Sequence, residues 1–396
     1  MDDGVFKMEL IAAGQVVLKK LMEHQYEAYF VGGMVRDRLL KREIYDVDIT
    51  TSAKPNEVIS LFNKTIKTGI KHGTVTVMIE GIPIEVTTFR IESEYQDYRR
   101  PSEVSFSTSL IEDLKRRDFT MNAITESLEG TLYDPFNGFE DLKQEKIRAV
   151  GEAYERFKED PLRMLRALRF VSKLGFKLEE RTYEAILSAA HLIQYISKER
   201  VKKELEGLVN GDESQEGLRL LIETGLTQHI DYFSVLTLYQ EYQWKQIETS
   251  LELFALVALA NKELSPDYLS AWPFSREEKR KIKAIIDSFH YQWPLPYIQY
   301  RYGEEVAKSY YHLRGFIQQE SVEFYPVSLP IENRKQLAIE ISDLLQVINR
   351  PKGPWIQTAI ERLEYEVVMQ QLKNETSDLM QYVKNSNLGE SYEYEN

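Results

Sequence analysis

Asp46 and Asp48 stand two apart in a β-type run, Tyr45-Asp46-Val47-Asp48-Ile49-Thr50. In a strand, residues i and i+2 point to the same face, so both carboxylates are expected to converge on one spot. Two anions at that spacing repel and favour a divalent cation between them, and oxygen ligands select a hard ion such as Mg²⁺. A lone D-x-D is weak evidence, because paired acids at an exposed strand end are common. Its surroundings strengthen it. Gly32-Gly33 precede it, with Arg36 and Asp37 close behind the glycines. Glycines such as Gly33 let a phosphate approach the backbone, amides at a helix start welcome its charge, and Arg36 can add a fork of donors. A third acid, Glu85, interrupts an apolar strand at Ile84-Glu85-Val86. Together these are the parts of a two-metal phosphoryl-transfer site. One ion activates an attacking 3′-hydroxyl and the other holds a triphosphate, so positioning dominates the protein's task.

The elements that must position these groups are legible from periodicity. Residues 8–25 have helical spacing, Ala28 to Val31 read as a strand ended by Gly32-Gly33, and Arg36 to Leu40 read as one or two helical turns. A strand carrying Asp46 to Ile49 follows, then strands over 73–80 and 83–89 joined by a Gly81-Ile82 turn. From about residue 150 helices run almost without interruption. Asp160-Pro161 opens one, and others are expected over 180–191, 198–210, 214–225, 247–261, 275–290, 303–318, 333–346 and 353–373. The last 15 or so residues are polar and acidic and are expected to fray. The fold class is therefore α+β. A catalytic head over 1–150 precedes a helical neck over 151–212, a helical body over 213–290 and a helical tail over 291–396.

Composition excludes several alternatives. The 396 residues exceed one domain at ~150 residues each. There is no cysteine, so disulfide staples, thiolate zinc sites and thiol redox chemistry are ruled out, and a cytoplasmic location is expected. The six histidines lack metal-ligand spacing. Apolar runs fall well short of the ~20 residues that cross a bilayer, and the N-terminus lacks signal-peptide character, so no membrane partner is expected. A net charge of −13 neither supports nor excludes an RNA substrate, because backbone contact needs only local clusters. Candidate clusters are Arg99-Arg100, Lys115-Arg116-Arg117, and Arg163, Arg166 and Arg169.

The run GGMVRD…DVDIT resembles the first motif of the nucleotidyltransferase superfamily related to DNA polymerase beta. RRDFTMNA (Arg116 to Ala123), DPFNGFEDL (Asp134 to Leu142), EDPLRMLRALRF (Glu159 to Phe170) and KERVKKEL (Lys198 to Leu205) follow in order. They are similar to the motifs of class II tRNA nucleotidyltransferases. LPIENRK and KGPWI in the last third resemble the bacillus-type CCA-adding subgroup. The resemblance implies Mg²⁺-dependent addition of C, C and A to the tRNA 3′ end from CTP and ATP, with release of pyrophosphate. It makes Asp46, Asp48 and Glu85 the catalytic carboxylates, with Asp46 and Asp48 holding metal. Gly33, Arg36 and Arg117 fall to the nucleotide's phosphates and sugar, and Asp118 to orienting Arg117.

The Asp160 helix allows a chemical reading of base choice. Asp160, Arg163, Arg166 and Arg169 repeat every three residues and wind slowly around one side of a helix. An acceptor on Asp160 and donors on Arg163 suit the exocyclic amino group and adjacent ring nitrogen shared by cytosine and adenine, an order that guanine and uracil invert. The resemblance assigns Asp160 and Arg163 this role and sets Arg166 and Arg169 near the incoming nucleotide. Asp160 could serve as the helix cap alone, and the two roles can coexist if its side chain tips outward. Asn122 fits a ribose contact or a turn hydrogen bond. Ser197, Glu199 and Arg200 read as braces of the helix, and Asp134 and Asp141 as hinge or packing residues.

Relatives with these motifs differ in product. Bacterial poly(A) polymerases carry a basic G-[RK]-R-F-type stretch after the metal motif, absent from TIKTGIKHGTVTVMI (Thr65 to Ile79). CC-only relatives lack a flexible loop, whereas this chain keeps a polar, strand-free candidate from Ser93 to Pro101 with Arg99 and Arg100. A-only addition is harder to separate. A non-catalytic tRNA-binding protein would have lost a carboxylate, and a small-molecule nucleotidyltransferase would share only the first motif. The helical tail is expected to hold the tRNA elbow, and pairing as a homodimer is left open.

Overall fold

The computed structural model describes residues 3–92, 95–96, 100–101, 104–261, 268–348 and 351–386. They fall into two compact units, Met1–Glu241 and Tyr242–Asn396. The α+β reading holds: a mixed sheet occupies the N-terminal part and helices make up the remainder.

The first unit opens with α1 (Asp3–Glu23), β1 (Ala28–Val31), α2 (Gly33–Leu39), β2 (Asp48–Thr51), α3 (Pro55–Leu61), β3 (Thr65–Gly69), β4 (Thr74–Ile79) and β5 (Ile82–Thr88). Two short strands, Thr125–Glu126 and Leu132–Tyr133, complete a seven-stranded sheet on the β1 side. β2 and β5 pair in parallel, with Asp48 opposite Glu85, while β1–β2 and β4–β5 are antiparallel. Val75, Val77, Ile84 and Val86 are fully buried, and Leu10, Val17, Leu18 and Leu21 of α1 are buried with them. This alternation leaves the opposite face of β2 and β5 for polar groups. Gly14 allows α1 to lie against β1, since a Cβ there would come within 2.6 Å of the Phe30 ring.

Several elements depart from expectation. β2 begins only at Asp48, and Asp46 lies in the extended segment before it, where no ladder holds it. The β4–β5 turn is Glu80-Gly81, not Gly81-Ile82, because both of those residues take positive φ (50° and 91°), the geometry of a tight type I′ hairpin. α2 starts at Gly33, three residues earlier than expected. The loop described as strand-free contains a short ladder, Tyr95–Gln96 against Arg100–Pro101, while Ser93, Glu94, Asp97, Tyr98 and Arg99 lie outside the described residues.

The first unit continues with α4 (Leu110–Lys115), α5 (Gly138–Lys143), α6 (Ala153–Glu159), α7 (Leu162–Leu174), α8 (Glu180–Ala189), α9 (Lys198–Val209) and α10 (Ser214–Glu223). α7 packs against α9 and α10, so residues 213–241, expected to begin a separate body, belong with the first unit. The second unit is helical: α11 (Ser250–Ala260), α12 (Tyr268–Ala271), α13 (Arg276–Tyr291), α14 (Leu295–Tyr302), α15 (Glu304–Gln318), α16 (Ile341–Val347), α17 (Trp355–Val368) and α18 (Thr376–Asn385). The helix expected over 333–346 is confined to α16, and the one over 353–373 stops at Val368, followed by Gln370 in the left-handed region (φ 56°). The expected fraying falls partly on α18, and residues 387–396 lie outside the described residues. Among the described residues no helix is long and apolar enough to cross a membrane.

Candidate active site

The register of β2 and β5 sets Glu85 beside Asp48 on neighbouring parallel strands, and Asp46 is exposed two residues before. Burial raises the Asp48 carboxyl to about 7, and the charges of Asp46 and Glu85 push the same way. Arg117 opposes them. Among the described residues no three acidic or histidine side chains stand as a ready metal cage, and Asp46 is exposed outside the strand. The donor set still suits a hard divalent cation. Its ligands are all oxygens, and their mutual repulsion is what such an ion relieves.

Gly32 caps α2 with φ 75° and brings the β1–α2 turn close to this group. A Cβ at Gly32 would lie 3.3 Å from Arg117 Nη1 and 3.6 Å from Asp48 Oδ2, so the guanidinium, the carboxylate and the turn share one small space. Arg117 donates through Nη2 to Asp113 at 3.4 Å, whereas its buried Nε–H has no partner among the described residues.

Asp113 was not anticipated, and it organises this corner. It is fully buried on α4 and accepts from Arg116 Nη2 at 2.7 Å and from the Thr50 hydroxyl of β2 at 3.0 Å. Burial alone would raise its pKa, but Arg117 and Arg116 hold it below the usual carboxylate value. The sequence signal was an acid three and four residues before two arginines on a short helix. Removing one partner of such a buried cluster costs about 3–5 kcal/mol, because the remaining charges are left uncompensated. Asp113→Ala is therefore expected to lower unfolding stability in urea by about that amount, and a change below ~1 kcal/mol would contradict the hub role.

A second network runs from the sheet to the helices. Arg36 is not the open fork expected of it. It is buried, with Nε and Nη2 each donating to Asp37 at 2.8 Å and Nη1 donating to Asn122 Oδ1 at 2.8 Å. Asn122 in turn donates to Asp118 at 2.9 Å, so its amide bridges two ionic groups rather than closing a turn. Asp118 engages Arg166 more than Arg117, accepting from Arg166 Nε and Nη2 at 2.9 and 2.7 Å. Burial would raise the Asp118 carboxyl, but Arg166 and the hydrogen bond from Asn122 hold it at about 2. Glu204 of α9, also unanticipated, accepts from Arg169 Nε at 2.6 Å and lies 3.7 Å from Arg166 Nη1. Phe170 lies beneath the guanidinium groups of Arg36, Arg166 and Arg169 at 5.1, 5.7 and 4.9 Å. Arg166, Arg169, Arg200, Lys203 and Glu204 line a cleft of about 510 Å³ between α7 and α9.

Asp160 and Arg163 occupy the start of α7. Asp160 Oδ1 accepts from the Leu162 amide at 3.2 Å, and Oδ2 accepts from Arg200 at 2.8 Å, so capping and an ion pair coexist. Arg163 is buried and donates to Glu159 at 3.0 Å and to the carbonyls of Arg156 and Arg116 at 3.1 and 2.8 Å. Asp134 caps α5 through the amides of Gly138 and Phe139, and Asp141 accepts from Thr120 and Arg148.

Three family models match the chain. "Poly A polymerase head domain" matches residues 28–148, "Probable RNA and SrmB- binding site of polymerase A" matches 175–231, and "tRNA nucleotidyltransferase domain 2 putative" matches 242–383. A CCA-adding enzyme of Bacillus cytotoxicus is 39% identical over 392 residues, covering 94% of this chain and 98% of the relative. One from Bacillus mycoides is 39% identical over 400 residues, covering 96% and 100%. The crystal structure of the Bacillus stearothermophilus CCA-adding enzyme in complex with CTP superposes with a TM-score of 0.79 at 37% identity, covering 94% of this chain and 96% of that one.

Proposed function

The chain belongs to the CCA-adding enzymes, and from that premise we propose that one site in its first unit both transfers the nucleotide and chooses the base. The reaction adds C, C and A to the 3′ end of tRNA from CTP and ATP. In each step the 3′-hydroxyl oxygen forms a bond to the α-phosphorus of the nucleotide, and the bond to pyrophosphate breaks.

Asp46 and Asp48 are assigned to the divalent metal, with Glu85 as the third carboxylate of the site. The bound ions, most simply Mg²⁺, would acidify the primer hydroxyl and neutralise the triphosphate. Arg117 is assigned to the phosphates, supported by its place beside Asp48 and Gly32 and by its buried Nε–H, which lacks an acceptor among the described residues. Gly33, the first residue of α2, is assigned to the phosphates. Arg36 is assigned a bracing role, because its donors already serve Asp37 and Asn122. Asp160 and Arg163 are assigned to the base edge, and Arg166 and Arg169 to the nucleotide near the cleft. Reading a base would require Asp160 and Arg163 to exchange protein partners for the base.

One observation carries this reading: a continuous polar seam joins the metal strand to the start of the arginine helix. Thr50 of β2 donates to Asp113, Asp113 holds Arg116 and Arg117, and the Arg116 carbonyl accepts from Arg163. Chemistry and selection thus share one scaffold, which needs no nucleic-acid template to couple them. The second unit, with the tail expected over 291–396, is assigned to holding the tRNA body.

Metal removal tests the carboxylate assignment. EDTA is expected to abolish CTP incorporation into tRNA lacking its terminal CCA, and excess Mg²⁺ to restore it. Incorporation that persists in EDTA would remove the metal from the account.

A further inference from the structure

The turn between α13 and α14 carries an aromatic ladder. α13 ends at Tyr291, Gln292 turns left-handed at φ 50°, and Pro294 caps α14, so the intervening residues are held by rigid backbone. Tyr291 and Trp293 stack with centroids 4.9 Å apart and planes at 19°, and Trp293 and Tyr302 lie 5.8 Å apart at 31°. Trp293 also meets the buried Tyr297 edge-on at 5.8 Å and packs on the core of the second unit. Tyr291, at the outer end, is 53% exposed.

The exposed Arg301 completes the face. Its guanidinium lies 5.1 Å from the Trp293 ring and 5.7 Å from the Tyr302 ring. It donates to the Tyr297 hydroxyl at 3.1 Å, and among the described residues no carboxylate stands at ion-pair distance from it. Lys283 nearby is neutralised by Asp287 at 2.7 Å. Single exposed aromatics are ordinary on a protein surface. Stacked rings anchored to a core at one end, half exposed at the other where His290 meets Tyr291 edge-on at 4.8 Å, and flanked by a guanidinium that feels Glu361 and Glu364 only from beyond ion-pair distance are a less ordinary combination. A ring face of this kind stacks on a nucleobase, and the guanidinium can address the adjoining phosphate.

We propose that the Tyr291–Trp293–Tyr302 ladder with Arg301 is a contact surface for tRNA, stacking an unstacked base of the tRNA body on Tyr291. This rests on the reading that the chain acts on tRNA. The surface sits in the second unit and serves affinity for the nucleic acid, not the transfer step.

The test compares the wild type with Tyr291→Ala/Arg301→Ala and Tyr291→Phe. Direct binding to tRNA lacking CCA is measured alongside CTP turnover at saturating tRNA and urea unfolding. A stacking contact is worth enough to predict about a tenfold rise in tRNA Kd for the double variant. KM for CTP and kcat at saturating tRNA are expected to stay unchanged, the unfolding midpoint to fall slightly through the lost Tyr291 stack and the lost Arg301 bond to Tyr297, and Tyr291→Phe to bind as the wild type. A double variant that remains folded at the assay temperature and binds tRNA within about twofold of wild type overturns the proposal. So does a variant whose only change is loss of self-association, which would assign the face to a second copy of the chain. If the wild type added no nucleotide to tRNA while the binding loss still appeared, the functional reading would fail and the contact surface would stand.

Discussion

Asp48→Ala is expected to lower nucleotide addition by at least about 1,000-fold while tRNA Kd changes by less than about twofold. A metal's contribution to phosphoryl transfer is several kcal/mol, and each ~1.4 kcal/mol is tenfold in rate. The side chain sits beside Glu85 and within reach of Arg117, so its loss removes one of the ligands proposed for the metal and leaves the seam through Asp113 in place. Unfolding would not explain the result. Burial and two neighbouring acids work against the Asp48 carboxylate, so Asp48→Asn is expected to unfold at equal or higher urea in metal-free buffer. Single-turnover assays on saturating tRNA measure the first effect, and near-normal turnover would sink the metal assignment. Asp46→Ala is expected to behave alike in activity.

Arg163→Ala is expected to relax nucleotide choice more than it weakens tRNA binding. A two-point hydrogen-bonded base contact discriminates by ~1–3 kcal/mol, so preference for CTP over UTP should fall by about 10- to 100-fold. The residue also ties α7 to Arg116 and Glu159, so some stability is lost with it. Arg163→Lys separates the two roles. It keeps the charge but not the planar fork, and should keep more stability than alanine without recovering discrimination. Competition between CTP, ATP, UTP and GTP at one tRNA end reads the outcome. Unchanged rejection of UTP and GTP in Arg163→Ala would remove Arg163 from base reading.

That Asp48 and Glu85 sit on strands was legible, because each acid interrupts a β-patterned segment, and the parallel register of β2 and β5 sets the two side by side. The strand carrying Asp48 was placed two residues early: the Val47 carbonyl still accepts from the Glu85 amide at 3.2 Å, but the paired ladder begins at Asp48. The partners of the arginines were not legible. That Asp118 holds Arg166, 48 residues away, depends on how α7 packs beside the segment after α4, and no local period encodes it. The same holds for Asn122 bridging Arg36 and Asp118, and for Glu204 between Arg166 and Arg169. Asp113 had a local signal in its spacing to Arg116 and Arg117, but its importance comes from Thr50 on a distant strand. Asp160 showed a different limit. Sequence allowed capping and side-chain recognition to coexist but could not name Arg200, which shares the carboxylate with the Leu162 amide.

The most direct test supplies the purified protein with tRNA ending before CCA, after one C and after two C residues, gives CTP and ATP separately and together, and sequences the ends. CTP alone is expected to restore C-C and stop, ATP alone to add a single A only to the end already carrying both C residues, and the two together to give CCA. A run of A residues from ATP on any end, or failure to add the last A after C-C, would contradict that expectation.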